Sequence, residues 1–166
     1  LIVADKSSNP EWLASDLLGQ AEHDQLAQCI LISKNKNVLE KTKKELFKQL
    51  KKLPRLLIAK KSLTENGVLI YANSDKKILE ITNKIGPEHL ELNVKNYKSF
   101  AAKIKNAGSI CLGKYAVMAM TDYGAPGSNH VLPTNMTSKF SSGLNVSEFM
   151  KKISYITLSK KGIDKL

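Results

Sequence analysis

The sequence predicts an α/β fold, a Rossmann-like domain with a mainly parallel sheet. Short apolar runs typical of buried strands alternate with amphipathic stretches typical of helices, and this β-α-β-α rhythm favours a parallel sheet. The 166 residues also suffice for a domain with its own buried core. We assign residues 1–143 to this domain and residues 144–166 to the start of a C-terminal helical segment.

Each element is predicted from apolar spacing and from capping residues. Asn9 can cap a helix that begins at Pro10, and this helix should bury Trp12. Leucines at helical spacing in a Lys-rich stretch predict a surface helix over 34–52, which Pro54 ends. The other predicted strands cover 1–4, 29–33, 68–72, 90–94 and 109–112, and the other helices cover 75–85, 97–105 and about 146–154, with a long loop over 123–143.

The net charge of +11 would by itself favour a nucleic-acid or membrane-surface partner. Many of the lysines, however, form the polar face of the helix predicted over 34–52, and Arg55 is the only arginine, the residue most used to contact bases. No apolar run is long enough to cross a membrane. We therefore expect neither partner. Cys29 and Cys111 lie in apolar surroundings and are expected to be reduced core thiols.

Two histidines have polar neighbours that could form a site. Gln20 and His23 are three residues apart, so on a helix they share a face, and imidazole is a common zinc ligand. The alternative is a helix C-terminus whose histidine interacts with the last carbonyls. Glu88 and His89 follow a Gly-Pro turn and could act as an acid–base pair, or they could form only a polar turn.

A third polar cluster surrounds a Gly-rich loop. Asp122 precedes this loop, Asn129 and His130 follow it, and glycine permits close approach of the backbone to a ligand. An active-site loop and a purely structural loop both fit this pattern. The chain has no G-x-G-x-x-G fingerprint, so its patterns predict no dinucleotide site and leave the cofactor-binding residues unknown.

Five stretches of the sequence resemble the histidinol dehydrogenases. They occur in the family's order and extend over most of the chain, and this ordered set is far more specific than any one of them. The stretches are residues 16–24 (DLLGQAEHD), 86–91 (GPEHLE), 106–110 (NAGSI), 129–134 (NHVLPT) and 140–144 (FSSGL).

The resemblance implies a cytosolic, homodimeric enzyme of histidine biosynthesis. Such enzymes oxidise L-histidinol to L-histidine in two NAD-dependent steps, through histidinaldehyde, on Rossmann-like domains that lack the glycine fingerprint. By this resemblance Gln20, His23 and Asp122 are zinc ligands, and the zinc orients the imidazole and amine of the substrate. These three residues and His89 would bind the substrate. His89 would accept the alcohol proton, and Glu88 would activate water for the second oxidation.

Two departures from the family pattern limit these expectations. The chain matches an internal part of the family, so much of the NAD-binding domain should precede Leu1. A fourth zinc ligand and a substrate-contacting glutamate should follow Leu166 and reach the partner subunit's site. Asp122 and His130 are one residue further apart than in the family, with Pro126 as the apparent insertion.

We expect Pro126 to bulge outward and Asp122 and His130 to face one cavity. The expected protein is an enzyme fragment that is inactive by itself. The alternatives are a basic binding module without catalysis and a decayed gene remnant.

Overall fold

The computed structural model describes residues 1–123 and 129–165, and at Asp122 and Tyr123 it describes the backbone alone. Its strands are β1 (Ile2–Ala4), β2 (Ile30–Ser33), β3 (Val68–Tyr71), β4 (His89–Asn93) and β5 (Ser109–Leu112). These five strands form one sheet in the order β3-β2-β1-β4-β5, and every neighbouring pair is parallel. In the centre of the sheet, Val3 lies between Ile32 and Leu92. The predicted Rossmann-like α/β fold is confirmed.

Helices connect the strands as expected for parallel pairs. Asn9 caps the first of them, because its side chain accepts the N–H of Glu11, and Pro10 lies in the first turn as predicted. The described helices are α1 (Pro10–Ala21), α2 (Lys36–Leu50), α3 (Leu56–Asn66), α4 (Asp75–Ile85), α5 (Tyr97–Ala101), α6 (Met118–Tyr123) and α7 (Lys160–Ile163).

The sheet has a separate apolar core on each face. Leu13 and Leu31 are fully buried in the core beneath α1, α2 and α3. Leu90 and Leu92 are fully buried in the other core, beneath α4 and α5. Side chains alternate between the faces of a strand, so Glu91 points to the α1 side of the sheet. The α1 side is therefore where polar side chains of β4 can meet residues of α1.

The structure differs from the sequence-based prediction at several elements. Neither α3 nor α6 was predicted, and α5 ends at Ala101 rather than near residue 105. The helix predicted over about 146–154 is wrong beyond a short 3-10 helix at Val146–Phe149. Trp12 was predicted to be buried but is 43% exposed, and its ring lies 6.0 Å from that of Tyr115. The division of the chain at residue 143 stays a prediction.

Other predictions made from composition agree with the structure. The Lys-rich stretch forms α2, whose buried side includes Leu39, Leu46 and Leu50. Cys29 and Cys111 are both buried. Over the described residues, no helix combines the length and the apolar character needed to cross a membrane.

Candidate active site

The residues predicted to form a site gather at one edge of the sheet. The crossover helix α1 returns from the carboxyl end of β1 to the amino end of β2, so Gln20 and His23 lie at the amino edge. His89 is the first residue of β4 and lies at the same edge. The topology thus brings together two sequence clusters that are 66 residues apart, counted from His23 to His89.

A small cavity opens between α1 and the starts of β1, β2 and β4. Its volume is about 20 Å³, room for about one water molecule. Gln20 and His89 both line it, but His23 does not. Its lining residues are Leu1, Asp16, Leu17, Gln20, Gln28, Cys29, Ile30, His89, Glu91 and Met118.

Glu88 and His89 lie next to each other at the start of β4. Nε2 of His89 lies 3.6 Å from Oε1 of Glu88, and the two side chains are 17% and 35% exposed, respectively. Imidazole and carboxylate groups are the side chains most used for proton transfer in enzymes. Since both side chains are partly exposed, a small molecule can reach the pair.

The turn before β5 fixes the start of β4. The N–H groups of Gly108 and Ser109 donate to the carbonyl oxygens of Pro87 and Glu88, at 2.9 and 2.8 Å. A Cβ on Gly108 would lie 2.6 Å from the Glu88 oxygen and 3.0 Å from Cδ of Pro133. A side chain therefore cannot be placed at residue 108 without moving the backbone that presents Glu88.

Asn129 has a structural role in the described part of its loop. Its side-chain amide donates to the carbonyl oxygen of Leu144, and its side-chain oxygen accepts the N–H of Val131 at 2.9 Å. A Cβ on Gly143 would lie 3.2 Å from the Asn129 amide nitrogen. These contacts join the stretches 129–134 and 140–144. His130 is exposed, and an active-site role for Asn129 or His130 stays a prediction.

The zinc ligands implied by the resemblance are only partly described. Gln20 is half-buried in the last turn of α1, whereas His23 is exposed beyond its end, and the N–H of His23 donates to the Gln20 carbonyl at 3.3 Å. The prediction that a helix holds both residues is therefore wrong for His23. The side chain of Asp122, Pro126 and the orientation of Asp122 relative to His130 lie outside the described residues.

The donor types at this edge nevertheless suit zinc. An amide oxygen and an imidazole nitrogen are available one turn apart at the end of α1, and zinc accepts both nitrogen and oxygen ligands. Among the side chains that the structure describes, no group of three or more His, Cys, Asp or Glu residues is placed to hold a metal ion. The described residues thus offer donor types that zinc accepts, without a complete set of ligands.

The first βα turn does not fit a dinucleotide. Oδ1 of Asp5 accepts both the N–H and the hydroxyl of Ser7, and its other oxygen accepts the N–H of Lys95 at 2.7 Å. Ser8 is buried and donates to the Asn93 carbonyl. A carboxylate and serine side chains therefore occupy the place where a glycine-rich turn would hold a pyrophosphate.

Sequence patterns missed two acidic residues behind the cavity. Glu91 is buried, and its Oε1 accepts the N–H of Met118 at 2.9 Å. Burial raises the pKa of Glu91 to about 7, with a further contribution from the nearby Asp16 carboxyl. Burial also raises the pKa of Asp16 to about 6, against a hydrogen bond to Glu91 that lowers it. The sequence signal that could have drawn attention to Glu91 was an acidic residue inside the apolar run of β4.

Fold and site together define a parallel α/β domain with acid–base groups at the amino edge of its sheet. The comparisons with known proteins add the family. The family model described as histidinol dehydrogenase matches residues 1–166, and the chain belongs to this family.

Similar proteins agree along almost the whole chain. A histidinol dehydrogenase from Pelagibacter ubique is 68% identical over 165 residues, which cover 99% of this chain and 38% of that protein. One from Listeria monocytogenes is 47% identical, with the same coverage of both chains. The crystal structure of the Elizabethkingia anophelis enzyme matches with a TM-score of 0.88 and 39% identity, over 99% of this chain and 37% of that one. The chain thus spans about 38% of the length of its curated relatives.

Proposed function

We propose that this chain contributes the acid–base groups and part of the zinc site to an enzyme that oxidises L-histidinol to L-histidine in two NAD-dependent steps, through histidinaldehyde. The observation that carries the proposal is the meeting of Gln20 and His89 at one cavity, with Glu88 beside His89. Membership of the histidinol dehydrogenase family supports the proposal that L-histidinol is the substrate.

The proposed zinc ligands from this chain are Gln20, His23 and Asp122. The bound metal would orient the imidazole and amine of the substrate. Gln20 already lines the cavity, and exposed His23 is free to adjust its side chain toward an ion. Asp122 belongs to α6, whose first residue, Met118, lines the same cavity. All three ligands are thus carried by elements that border the site.

His89 is the proposed base of the reaction. It accepts the proton of the substrate alcohol when hydride leaves the carbinol carbon, and the carboxylate of Glu88 stabilises the imidazolium so formed. Glu88, 35% exposed, then activates the water that adds to the aldehyde carbon before the second oxidation. A carboxylate that is partly open to solvent can both reach this water and release its proton.

The remaining requirements lie outside the described residues. Because the first βα turn does not fit a dinucleotide, we propose that NAD is held mainly by other parts of the full enzyme. We also propose a cytosolic homodimer in which the partner completes the zinc shell. The isolated chain should then be inactive, since hydride transfer needs the nicotinamide held closely against the carbinol carbon.

A chimera tests the proposal directly. This chain replaces the matching 38% of the Pelagibacter ubique protein, and NADH formation from L-histidinol is measured with added zinc. We expect turnover by the chimera and none by the isolated chain. A chimera that folds and binds zinc but forms no NADH would contradict the proposal, and turnover by the isolated chain would contradict its requirement for further segments.

A further inference from the structure

Two carboxyl groups lie next to each other beneath the candidate site, the half-buried Asp16 and the buried Glu91. Asp16 on α1 and Glu91 on β4 both line the cavity, and their carboxyl groups are close enough that each influences the pKa of the other. Oδ2 of Asp16 is buried with no hydrogen-bond partner among the described residues. Two ionised carboxylates in contact would repel each other, so one shared proton satisfies both groups.

The carboxyl pair connects the three elements that carry the proposed site residues. On α1, Asp16 lies four residues before Gln20, so both face the same side of the helix. On β4, Glu91 lies two residues after His89 and therefore faces the same side of the sheet.

The third connection is to α6. Oε1 of Glu91 accepts the N–H of Met118, the first residue of this helix, at 2.9 Å. Asp122 follows Met118 by one helical turn. In α1 and β4, a member of the carboxyl pair lies one helical turn or one strand repeat from a proposed site residue. In α6, the residue bonded to Glu91 lies one helical turn from Asp122.

We propose that Asp16 and Glu91 are positioning residues, a pair of neighbouring carboxyl groups that fixes α6 against α1 and β4 and so sets the relative placement of Gln20, His89 and Asp122. The metal-binding part of this inference rests on the proposed function. The positioning of α6 does not, because it follows from the contacts of Asp16, Glu91 and Met118.

Hydrogen exchange of the full chain tests the positioning of α6. Glu91→Ala removes the acceptor of the Met118 N–H, whereas Glu91→Gln keeps an acceptor and adds a donor toward Asp16. We expect Glu91→Ala to speed exchange of the α6 amides by about tenfold, the effect of losing one such hydrogen bond, and Glu91→Gln to stay near the parent rate. Leu92→Val is the control, since it weakens β4 from the opposite face of the sheet.

A second pair of variants covers the case in which Glu91→Ala does not fold. Met118→Pro removes the same N–H at the first helical position, where proline is tolerated, and Met118→Ala keeps it. Faster α6 exchange in Met118→Pro but not in Met118→Ala supports the proposal. Two results would overturn it. One is equal exchange of the α6 amides in the two members of either pair of variants, and the other is a rise in exchange in Leu92→Val that is confined to α6.

Calorimetric titration with zinc alone measures whether the carboxyl pair affects metal binding. A purely structural role of the pair would leave the zinc affinity unchanged. We expect Glu91→Ala to weaken zinc binding by about tenfold and Glu91→Gln and Leu92→Val to leave it near the parent value. Equal zinc affinity in Glu91→Ala and the parent would overturn the role of the pair at the metal site. If the parent binds no zinc, the proposed metal site fails, while the exchange data still decide whether the pair positions α6.

Discussion

The N–H of Gly108 donates to the carbonyl oxygen of Pro87 at 2.9 Å, so the turn before β5 lies directly against the turn that presents Glu88 and His89. A Cβ at residue 108 would lie 2.6 Å from the backbone carbonyl oxygen of Glu88. We expect Gly108→Ala to lower the free energy of unfolding by about 1–3 kcal/mol, the usual effect of forcing an atom into packed space.

Gly19→Ala provides the matched control for this substitution. Gly19 lies on the exposed side of α1, and a Cβ added there would meet no atom within 4 Å. Alanine should therefore raise the free energy of unfolding there by about 0.5–1 kcal/mol through helix propensity. Urea denaturation measures both variants, and equal stability of the two would contradict the close approach at Gly108.

The carboxyl pair predicts an unusual dependence of stability on pH. The pKa values of Asp16 and Glu91 are raised to about 6 and about 7 in the folded chain, from 3.8 and 4.5. Between about pH 4 and pH 7 the unfolded chain has released protons that the folded chain still holds, so the free energy of unfolding falls as the pH rises through this window.

Glu91→Gln isolates this contribution. An amide does not titrate, so the fall in stability between about pH 4 and pH 7 should be smaller in the variant than in the parent. Urea denaturation at several pH values measures the difference. A slope that is unchanged, or a stability of the parent that rises over the same window while that of the variant does not, would contradict the raised pKa of Glu91.

Zinc binding by the chain should be present but weak. Gln20, His23 and Asp122 offer three ligands, and water would complete a shell that closed sites build from four protein ligands. We expect His23→Ala to weaken binding by about tenfold or more, as removal of a ligand does, while His130→Ala leaves the affinity near the parent value. A tight site in calorimetry that survives His23→Ala would rule out this ligand assignment.

The segment after residue 139 should make the chain self-associate. Many of its large apolar side chains are exposed, and a surface with so many exposed apolar groups favours association with protein. The most exposed are Phe140, Val146, Phe149, Tyr155 and Ile156. Sedimentation analysis should show association that rises with concentration and is reduced in Phe149→Ser with Ile156→Ser, but not in Lys152→Ser. A parent chain that stays monomeric at all concentrations would contradict this expectation.

Sequence patterns predicted the centre of the sheet well because its three central strands are buried. Apolar runs of four or five residues are typical of parallel strands covered on both faces, and β1, β2 and β4 fit this description. The helix α3 was missed because its buried side carries Ala59 and Ser62, which are too small and polar to form a clear apolar stripe.

The absence of a packing surface explains why the helix predicted over about 146–154 does not form. Residues 150–159 are exposed throughout and form no helix, since a short amphipathic stretch gains most of its helical stability from a surface to pack against. The resemblance to the family predicted the candidate site residues, but it could not show that Asp16 and Glu91 lie side by side. Their contact depends on the placement of α1 across the sheet, which no local pattern contains.

The most direct test of the account is the effect of His89→Asn on the chimera described above. If His89 is the base, the substitution should lower kcat for NADH formation from L-histidinol by about 100-fold or more, because proton transfer in the transition state is lost. KM should stay within about threefold, because the proposed zinc ligands Gln20, His23 and Asp122 would still hold the substrate. A rise in KM with kcat unchanged would show that His89 only binds the substrate, and it would contradict the catalytic role proposed for this edge of the sheet.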